Sequence, residues 1–206
     1  MPRYGTIDQD YAIRLASTEP DGDIYMLNLM AYREEADYGP DGERGVSGRE
    51  ADNRYAPVDV LIEIGAGMCF LADVESASEP WDRIAVVRYP TRRSFVDMQS
   101  RPDFQAKHVH KDAGMDHTTI VGTVPLGDLP KAVPGDLLLV EVWDGSTPEP
   151  VVDGDSVEFA VEGTIIGDGR AWSGARYTPI DVVPDLSGTK NHQLIAVRTV
   201  IAQWES

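Results

Sequence analysis

The segment Ile24-Tyr25-Met26-Leu27-Asn28-Leu29-Met30-Ala31-Tyr32 is the strongest strand signal in this chain. It follows the turn sequence Glu19-Pro20-Asp21-Gly22 and is too short for a typical helix, so it predicts a buried β-strand. Alternation along a strand divides it into two faces, Tyr25, Leu27, Leu29 and Ala31 against Ile24, Met26, Asn28, Met30 and Tyr32. We expect the first face to pack under helices and the second to line the interior of a barrel.

Three more strands are predicted downstream, at 68–74, 83–89 and 117–124. The capping-box spacing Ser47-Gly48-Arg49-Glu50 begins a helix that Gly65 ends, with a kink expected at Pro57. A second helical segment runs from Thr91 to about Lys111 and restarts at Pro102. The order β-α-β-β-α-β predicts the α+β class, specifically a ferredoxin-like plait.

The domain organisation follows from where this pattern stops. We expect a ferredoxin-like domain over 1–125, a Pro- and Gly-rich linker over 126–135, and a β-rich second half over 136–206. Strands are predicted there at 137–143, 157–166, 170–177 and 193–202, with a hairpin signal at Gly167-Asp168-Gly169.

The second half is either a degenerate repeat of the first or an unrelated extension. Gly22-Asp23-Ile24-Tyr25-Met26-Leu27 resembles Gly135-Asp136-Leu137-Leu138-Leu139-Val140 in residue type, and Ile84-Ala85-Val86 resembles Ile195-Ala196-Val197. Short apolar strands also resemble each other by chance, so both alternatives stay open.

Several segments between residues 22 and 122 together resemble the DUF1330 family. They are Tyr25 to Arg33, Ser47-Gly48-Arg49-Glu50-Ala51, Trp81 to Pro90, Asp103-Phe104-Gln105-Ala106 and His110 to Met115. The resemblance implies a dimeric α/β barrel, a scaffold that also serves cofactor-free monooxygenases, muconolactone-type isomerases and haem-degrading enzymes. It implies either a homodimer or, with the extra residues of this chain, an intramolecular pseudo-dimer.

Composition limits the partners and the compartment. The chain has 206 residues and a formal net charge of −17, which repels phosphate backbones and anionic membranes, so we expect neither nucleic acid nor membrane as a partner. It has no apolar stretch of about 18 residues, and its one cysteine, Cys69, excludes an internal disulfide. We expect a cytoplasmic protein in which Cys69 is a small buried apolar residue.

The candidate site residues are polar groups on the predicted strands and at the end of the second helix. Asn28 interrupts an apolar face, either as a ligand donor or as a satisfied structural amide. Arg88 could bind a carboxylate or an enolate, or pair with a nearby acid. His117 shares a strand face with Thr119, and His110 is a candidate base. His108 and His110 are two residues apart and point away from each other on a helix, so no metal site is expected.

These residues predict a small-molecule-binding pocket inside an α/β barrel. Asn28, Met30, Tyr32 and Thr119 are its candidate ligand-binding residues, and His110, His117 and Arg88 are its candidate catalytic residues. The predicted chemistry needs no cofactor: a histidine base with oxyanion stabilisation, of the isomerase, cyclase or monooxygenase type. The alternatives are a non-catalytic barrel that binds a metabolite or a partner, and a haem binder.

Overall fold

Nine strands and five helices lie within residues 4–187 and 191–204, the part of the chain that the computed structural model describes. The predicted domains also include residues 1–3, 188–190 and 205–206, which lie outside the described residues. The helices are α1 (Gln9–Ser17), α2 (Gly48–Tyr55), α3 (Val58–Glu63), α4 (Arg92–Gln99) and α5 (Pro102–Gly114). The strands are β1 (Thr6–Ile7), β2 (Ile24–Tyr32), β3 (Gly67–Ala77), β4 (Arg83–Tyr89), β5 (Met115–Pro125), β6 (Leu137–Asp144), β7 (Val157–Gly167), β8 (Trp172–Pro179) and β9 (His192–Ala202).

The strands form one antiparallel sheet that closes on itself. Its order is β1-β7-β5-β2-β4-β3-β9-β6-β8, and a further pairing of β7 with β8 closes β2–β9 into an eight-stranded barrel. Residues Val157 to Ala160 of β7 pair with β8, whereas Ile166 and Gly167 pair with the short strand β1. The same edge of β7 therefore pairs with β8 near the start of the strand and with β1 near its end.

The predicted fold class is wrong. The molecule is a mostly β, closed antiparallel barrel with short helices, and not an α+β ferredoxin-like plait of the dimeric α/β-barrel type. The physical reason lies in strand pairings between the two halves of the chain. The edge strand β3 pairs with β9, and the other edge strand, β5, pairs with β7. Each half supplies the hydrogen-bond partners that the other lacks, so a single closed sheet forms.

The two halves contribute their strands in the same order. Along the barrel the first half reads β5-β2-β4-β3 and the second β9-β6-β8-β7, in each case fourth, first, third and second. The sequence similarity between Ile84-Ala85-Val86 and Ile195-Ala196-Val197 does not follow this order, because the first segment lies in a third strand and the second in a fourth. The two similar segments therefore lie in strands that do not correspond between the halves.

The helix boundaries follow from local chemistry. Ser47 caps α2 by accepting a hydrogen bond from the Glu50 amide at 3.1 Å. Pro57 separates α2 from α3, where a kinked single helix was predicted. Thr91 caps α4, and Pro102 occupies the first turn of α5.

The barrel interior holds the face of β2 that was predicted to lie under helices. Tyr25, Leu27 and Leu29 are buried there with aromatic side chains contributed by both halves of the chain. Phe70 and Trp204 stack with ring centroids 5.4 Å apart, and Phe159 packs edge-on against Tyr25 at 5.7 Å. The predicted assignment of the two faces is therefore reversed, and the interior is filled by side chains.

Cys69 is buried, as predicted, and its thiol donates a hydrogen bond to the Val86 carbonyl oxygen at 3.3 Å. Burial raises the pKa of the Cys69 thiol to about 12, so it remains protonated at neutral pH. Among the described residues, no helix is both long enough and apolar enough to cross a membrane.

Candidate functional site

A cavity of about 540 Å³ lies between the helices and the outer face of the barrel, and we call it the helix-side cavity. Its floor includes Met26, Asn28 and Met30 of β2, Ala85 and Val87 of β4, and Ile120 of β5. Its roof includes Leu15 of α1, Leu61 of α3, Phe95 and Met98 of α4, and Phe104 of α5. The lining residues Gln9, Asn53 and Val58 are also exposed, so the cavity reaches the surface beside α1 and near the junction of α2 and α3.

Asn28 lies in the middle of the cavity floor. It is directly opposite Ala85 on one neighbouring strand and Ile120 on the other. Its side-chain nitrogen donates to the Met26 carbonyl oxygen at 2.8 Å. No hydrogen bond within the described residues involves the side-chain oxygen, so this amide offers an acceptor on an otherwise apolar floor.

One end of the cavity is polar. Asp52, Arg83 and Lys111 are the charged side chains among its described lining residues. Asp52 accepts a hydrogen bond from the Tyr32 hydroxyl at 2.7 Å. Arg83 is bonded through Nε to Asp73 at 3.0 Å, and through a terminal nitrogen to the Asn53 side-chain oxygen at 3.1 Å. Two of the three charged groups thus have hydrogen-bond partners within the chain.

Close packing of α2 on α5 assembles this polar end. A Cβ atom added to Gly48 would meet the Gly114 carbonyl oxygen, and one added to Gly114 would meet that of Gly48, each at less than van der Waals distance. Only glycine allows this approach of the two backbones. As a result, Asp52 and Tyr55 of α2 lie at the same end of the cavity as Lys111 of α5.

Lys111 is the charged group without such a partner. Its side chain is 5% exposed, and its Nζ lies 5.4 Å from the ring centroid of Tyr4 and 4.9 Å from that of Tyr55. No carboxylate oxygen of the described residues lies within 4.0 Å of it. Burial lowers the pKa of the ammonium, and the more distant Asp52 and Asp112 only partly oppose that shift.

His108 lies one helical turn before Lys111 and also lines the cavity. Its Nε2 atom is buried without a hydrogen-bond partner among the described residues. Its ring packs edge-on against Phe104 at 4.8 Å and against Tyr55 at 5.9 Å. Burial, followed by the charge of Lys111, lowers the pKa of His108, so the neutral imidazole is favoured.

The structure places Asn28 and Met30 in the helix-side cavity but brings no other predicted site residue into its lining. Arg88 pairs with Asp23 at 2.8 Å at the end of β4. His110 is bonded to the Tyr38 hydroxyl at 2.8 Å. Tyr32 reaches the polar end only indirectly, through its bond to Asp52.

His117 and Thr119 also lie apart from Asn28. His117 packs against the Trp81 ring at 4.7 Å and contacts Asp116 at 3.1 Å. The separation has a simple cause, because directly paired residues of an antiparallel sheet share a face. The partners of Arg88, His117 and Thr119 on β2 are Tyr25, Ala31 and Leu29, all on the barrel-interior face.

Sequence analysis missed Lys111, Asp52, Arg83 and His108 as site residues. A signal for two of them was present, because Phe104, His108 and Lys111 have the spacing i, i+4, i+7 and lie on one face of α5. A lysine on the same helix face as a buried phenylalanine is a candidate for a buried cation. Asp52 and Arg83 join the site through tertiary contacts alone.

A second cavity, of about 720 Å³, lies beside residues 126–132 and the adjoining ends of β6, β7 and β8. Its charged lining residues include Asp128, Asp155 and Lys131, all exposed. Exposed charges of this kind are solvated and need no ligand, and no group of side chains suited to a metal ion is found among the described residues. The helix-side cavity, where buried polar groups converge on apolar walls, is the better candidate.

The molecule is thus a closed antiparallel barrel with a helical layer and a cavity between the two. No family model and no curated protein matches the chain. A crystal structure of a methylated RPA0582 protein is 24% identical with a TM-score of 0.53, covering 65% of this chain and 100% of that one. A second, of the RPA0582 protein of unknown function from Rhodopseudomonas palustris, is 23% identical with a TM-score of 0.53, covering 61% of this chain and 98% of that one.

These two likenesses concern the fold alone. They account for about two thirds of the chain and carry no information on a ligand or a reaction. The comparisons give no support to the resemblance to DUF1330.

Proposed function

We propose that this chain binds a small, mainly apolar molecule in the helix-side cavity. The observation that carries the proposal is a space of about 540 Å³ with apolar walls and polar groups gathered at one end. Small-molecule sites in proteins span about 300–1,000 Å³ and combine apolar walls with a few placed polar groups. An elongated ligand with one polar end fits this arrangement.

The cavity has polar groups that a ligand could satisfy. The Asn28 side-chain oxygen, the His108 Nε2 atom and the Lys111 ammonium each lack a hydrogen-bond partner among the described residues. The His108 Nε2 atom is fully buried, and a buried polar group without a partner costs about 1–3 kcal/mol. A bound molecule that completes the hydrogen bonds of these groups offsets that cost.

Binding, and not a particular reaction, is the function we propose. The cofactor-free chemistry expected from the sequence needs His110 or His117 beside Asn28 and Arg88. Those two histidines and Arg88 have partners elsewhere and do not line the cavity with Asn28. No reaction is therefore assigned.

A cavity-filling substitution tests the proposal. Ala85 lies on the cavity floor opposite Asn28, and Ala85→Met places three more heavy atoms in the ligand space. We expect it to weaken binding of the neutral fluorescent dye N-phenyl-1-naphthylamine by about tenfold or more, equivalent to about 1.4 kcal/mol. Fluorescence titration measures the change.

Ala160→Met is the matched control. Ala160 is a half-buried barrel residue on β7 that lines neither cavity, so dye binding should remain at the wild-type level. Equal dye affinity in the wild type and Ala85→Met, with both folded by circular dichroism, would refute the proposal. Native mass spectrometry of gently purified protein adds a direct search for a co-purified ligand.

A further inference from the structure

The chemical class of the ligand can be inferred from the charges at the polar end of the helix-side cavity. Asp52 is bonded by the Tyr32 hydroxyl, and Arg83 is bonded by Asp73. Lys111 has two aromatic rings beside it and no carboxylate within 4.0 Å among the described residues. Neither Asp52 nor Lys111 has an oppositely charged group within 4.0 Å among the described residues, but Asp52 accepts a hydrogen bond and the Lys111 ammonium has none there.

This situation is unusual in so acidic a chain. The sequence has 35 Asp and Glu residues against 18 Lys and Arg residues, so carboxylates are abundant. Buried lysines are nearly always paired, because an isolated ammonium loses its hydration without compensation. The faces of Tyr4 and Tyr55 attract the cation, but they supply no negative charge and no strong acceptor.

We propose that the ligand of the helix-side cavity is an amphipathic monocarboxylate whose carboxylate pairs with the Lys111 ammonium. This inference rests on the binding function proposed above. The carboxylate supplies the missing counter-ion, and the apolar body lies on the floor formed by Met26, Met30 and their neighbours. A charge-assisted hydrogen bond in such a dry site is stronger than one in water.

The surroundings favour a single negative charge over a double one. Asp52 lines the same end of the cavity and acts on Lys111 through its charge. A phosphate dianion would be repelled by Asp52 and would have one unpaired cation, Lys111, to balance two charges. A monocarboxylate matches the single charge of Lys111 and is repelled less by Asp52 than a dianion would be.

Proton linkage follows from the same geometry. Burial lowers the pKa of Lys111 in the free protein, and a carboxylate bound beside the ammonium would raise that pKa, so carboxylate binding is linked to the protonation of Lys111. Carboxylate affinity should therefore fall as the pH rises through the pKa of Lys111, whereas the affinity of a neutral ligand should not change.

The test compares octanoate with octan-1-ol, which share an apolar chain and differ in the charge of the head group. Each displaces N-phenyl-1-naphthylamine from the wild-type protein, from Lys111→Met and from Lys107→Met. Lys107 lies one turn before Lys111 on α5 but bonds the Ala56 carbonyl oxygen and does not line the cavity. We expect the wild type and Lys107→Met to prefer octanoate by about tenfold or more, and Lys111→Met to lose that preference while still binding octan-1-ol.

Each other outcome is decisive. Equal or weaker binding of octanoate in the wild type overturns the inference, and so does an unchanged octanoate preference in Lys111→Met. Lys111→Arg keeps the positive charge and should retain part of the preference, which separates loss of charge from misfolding. If the dye and both octyl compounds fail to bind the wild type at all, the binding function itself is refuted, and the monocarboxylate inference with it.

Discussion

Two buried cations in this barrel have opposite surroundings. Arg176 in β8 is 2% exposed and is bonded to Glu141 at 3.2 Å, to Glu158 at 2.9 Å and to the Pro148 carbonyl oxygen at 2.9 Å. Lys111 in α5 is nearly as buried, and its close neighbours are two tyrosine rings.

The sheet register explains why Arg176 is so well satisfied. Glu141 on β6 and Glu158 on β7 are its direct cross-strand partners on either side. Strand pairing alone therefore brings the three charges together on one face. Lys111 has no such arrangement, because it projects from a helix into a cavity. The comparison separates a cation that stabilises the fold from one that remains available to a ligand.

The largest expected effect comes from breaking the satisfied cluster. Arg176→Met leaves Glu141, which is 0% exposed, with the His192 ring at 3.1 Å as its remaining side-chain hydrogen-bond partner among the described residues. Removing one member of a buried ion pair typically costs about 3–5 kcal/mol of unfolding free energy. Urea denaturation measures the loss.

Arg198→Met is the control for that substitution. Arg198 pairs with Glu75 at 3.1 Å on the surface, where a salt bridge is worth about 0–1 kcal/mol. Similar, small losses in both variants would show that the buried cluster contributes no more than a surface pair. Dye binding to folded Arg176→Met should be unchanged, since Arg176 does not line the helix-side cavity.

An intermediate effect is expected from Lys111→Met on the pH dependence of stability. The pKa of Lys111 is lower in the folded protein than in the unfolded chain, so between those two values the unfolded state binds more protons. Wild-type stability should therefore rise with pH toward the unfolded value of about 10.4, by about 1.4 kcal/mol for each unit by which folding lowers the pKa.

Lys111→Met should lose this contribution to the pH dependence. The unfolding free energy of each protein, measured in urea at pH 7 and pH 10, gives the slopes. Parallel changes in the wild type and the variant would mean that the ammonium is not destabilised by burial. The difference between the two buried cations would then disappear.

The smallest effect is expected from Arg88→Gln. Arg88 pairs with Asp23 near the surface, and both side chains are partly exposed to solvent. We expect a change in unfolding free energy below about 1 kcal/mol and unchanged affinity for the dye and for octanoate. A clear loss of octanoate binding in this variant would indicate that Arg88 contributes to the ligand site, contrary to the assignment of the carboxylate to Lys111.

The local elements were predictable because their signals are local. The strand at residues 24–32 and the caps at Ser47 and Thr91 lie where the sequence placed them, and Pro57 ends a helix where a kink was predicted. The orientation of the first strand was not predictable. Both of its faces are apolar, because one fills the barrel and the other lines the helix-side cavity, so alternation defines two faces without showing which one points inward.

By itself, the sequence determined the approximate positions of eight of the nine strands among the described residues, the helix starts at Ser47 and Thr91, the excess of acidic residues and the absence of an internal disulfide. Each of these depends on composition or on residues close together in the chain. Only the tertiary structure decided that the two halves share one closed barrel and that Lys111 is buried between Tyr4 and Tyr55. Both depend on pairing and packing between distant segments, which no local pattern records.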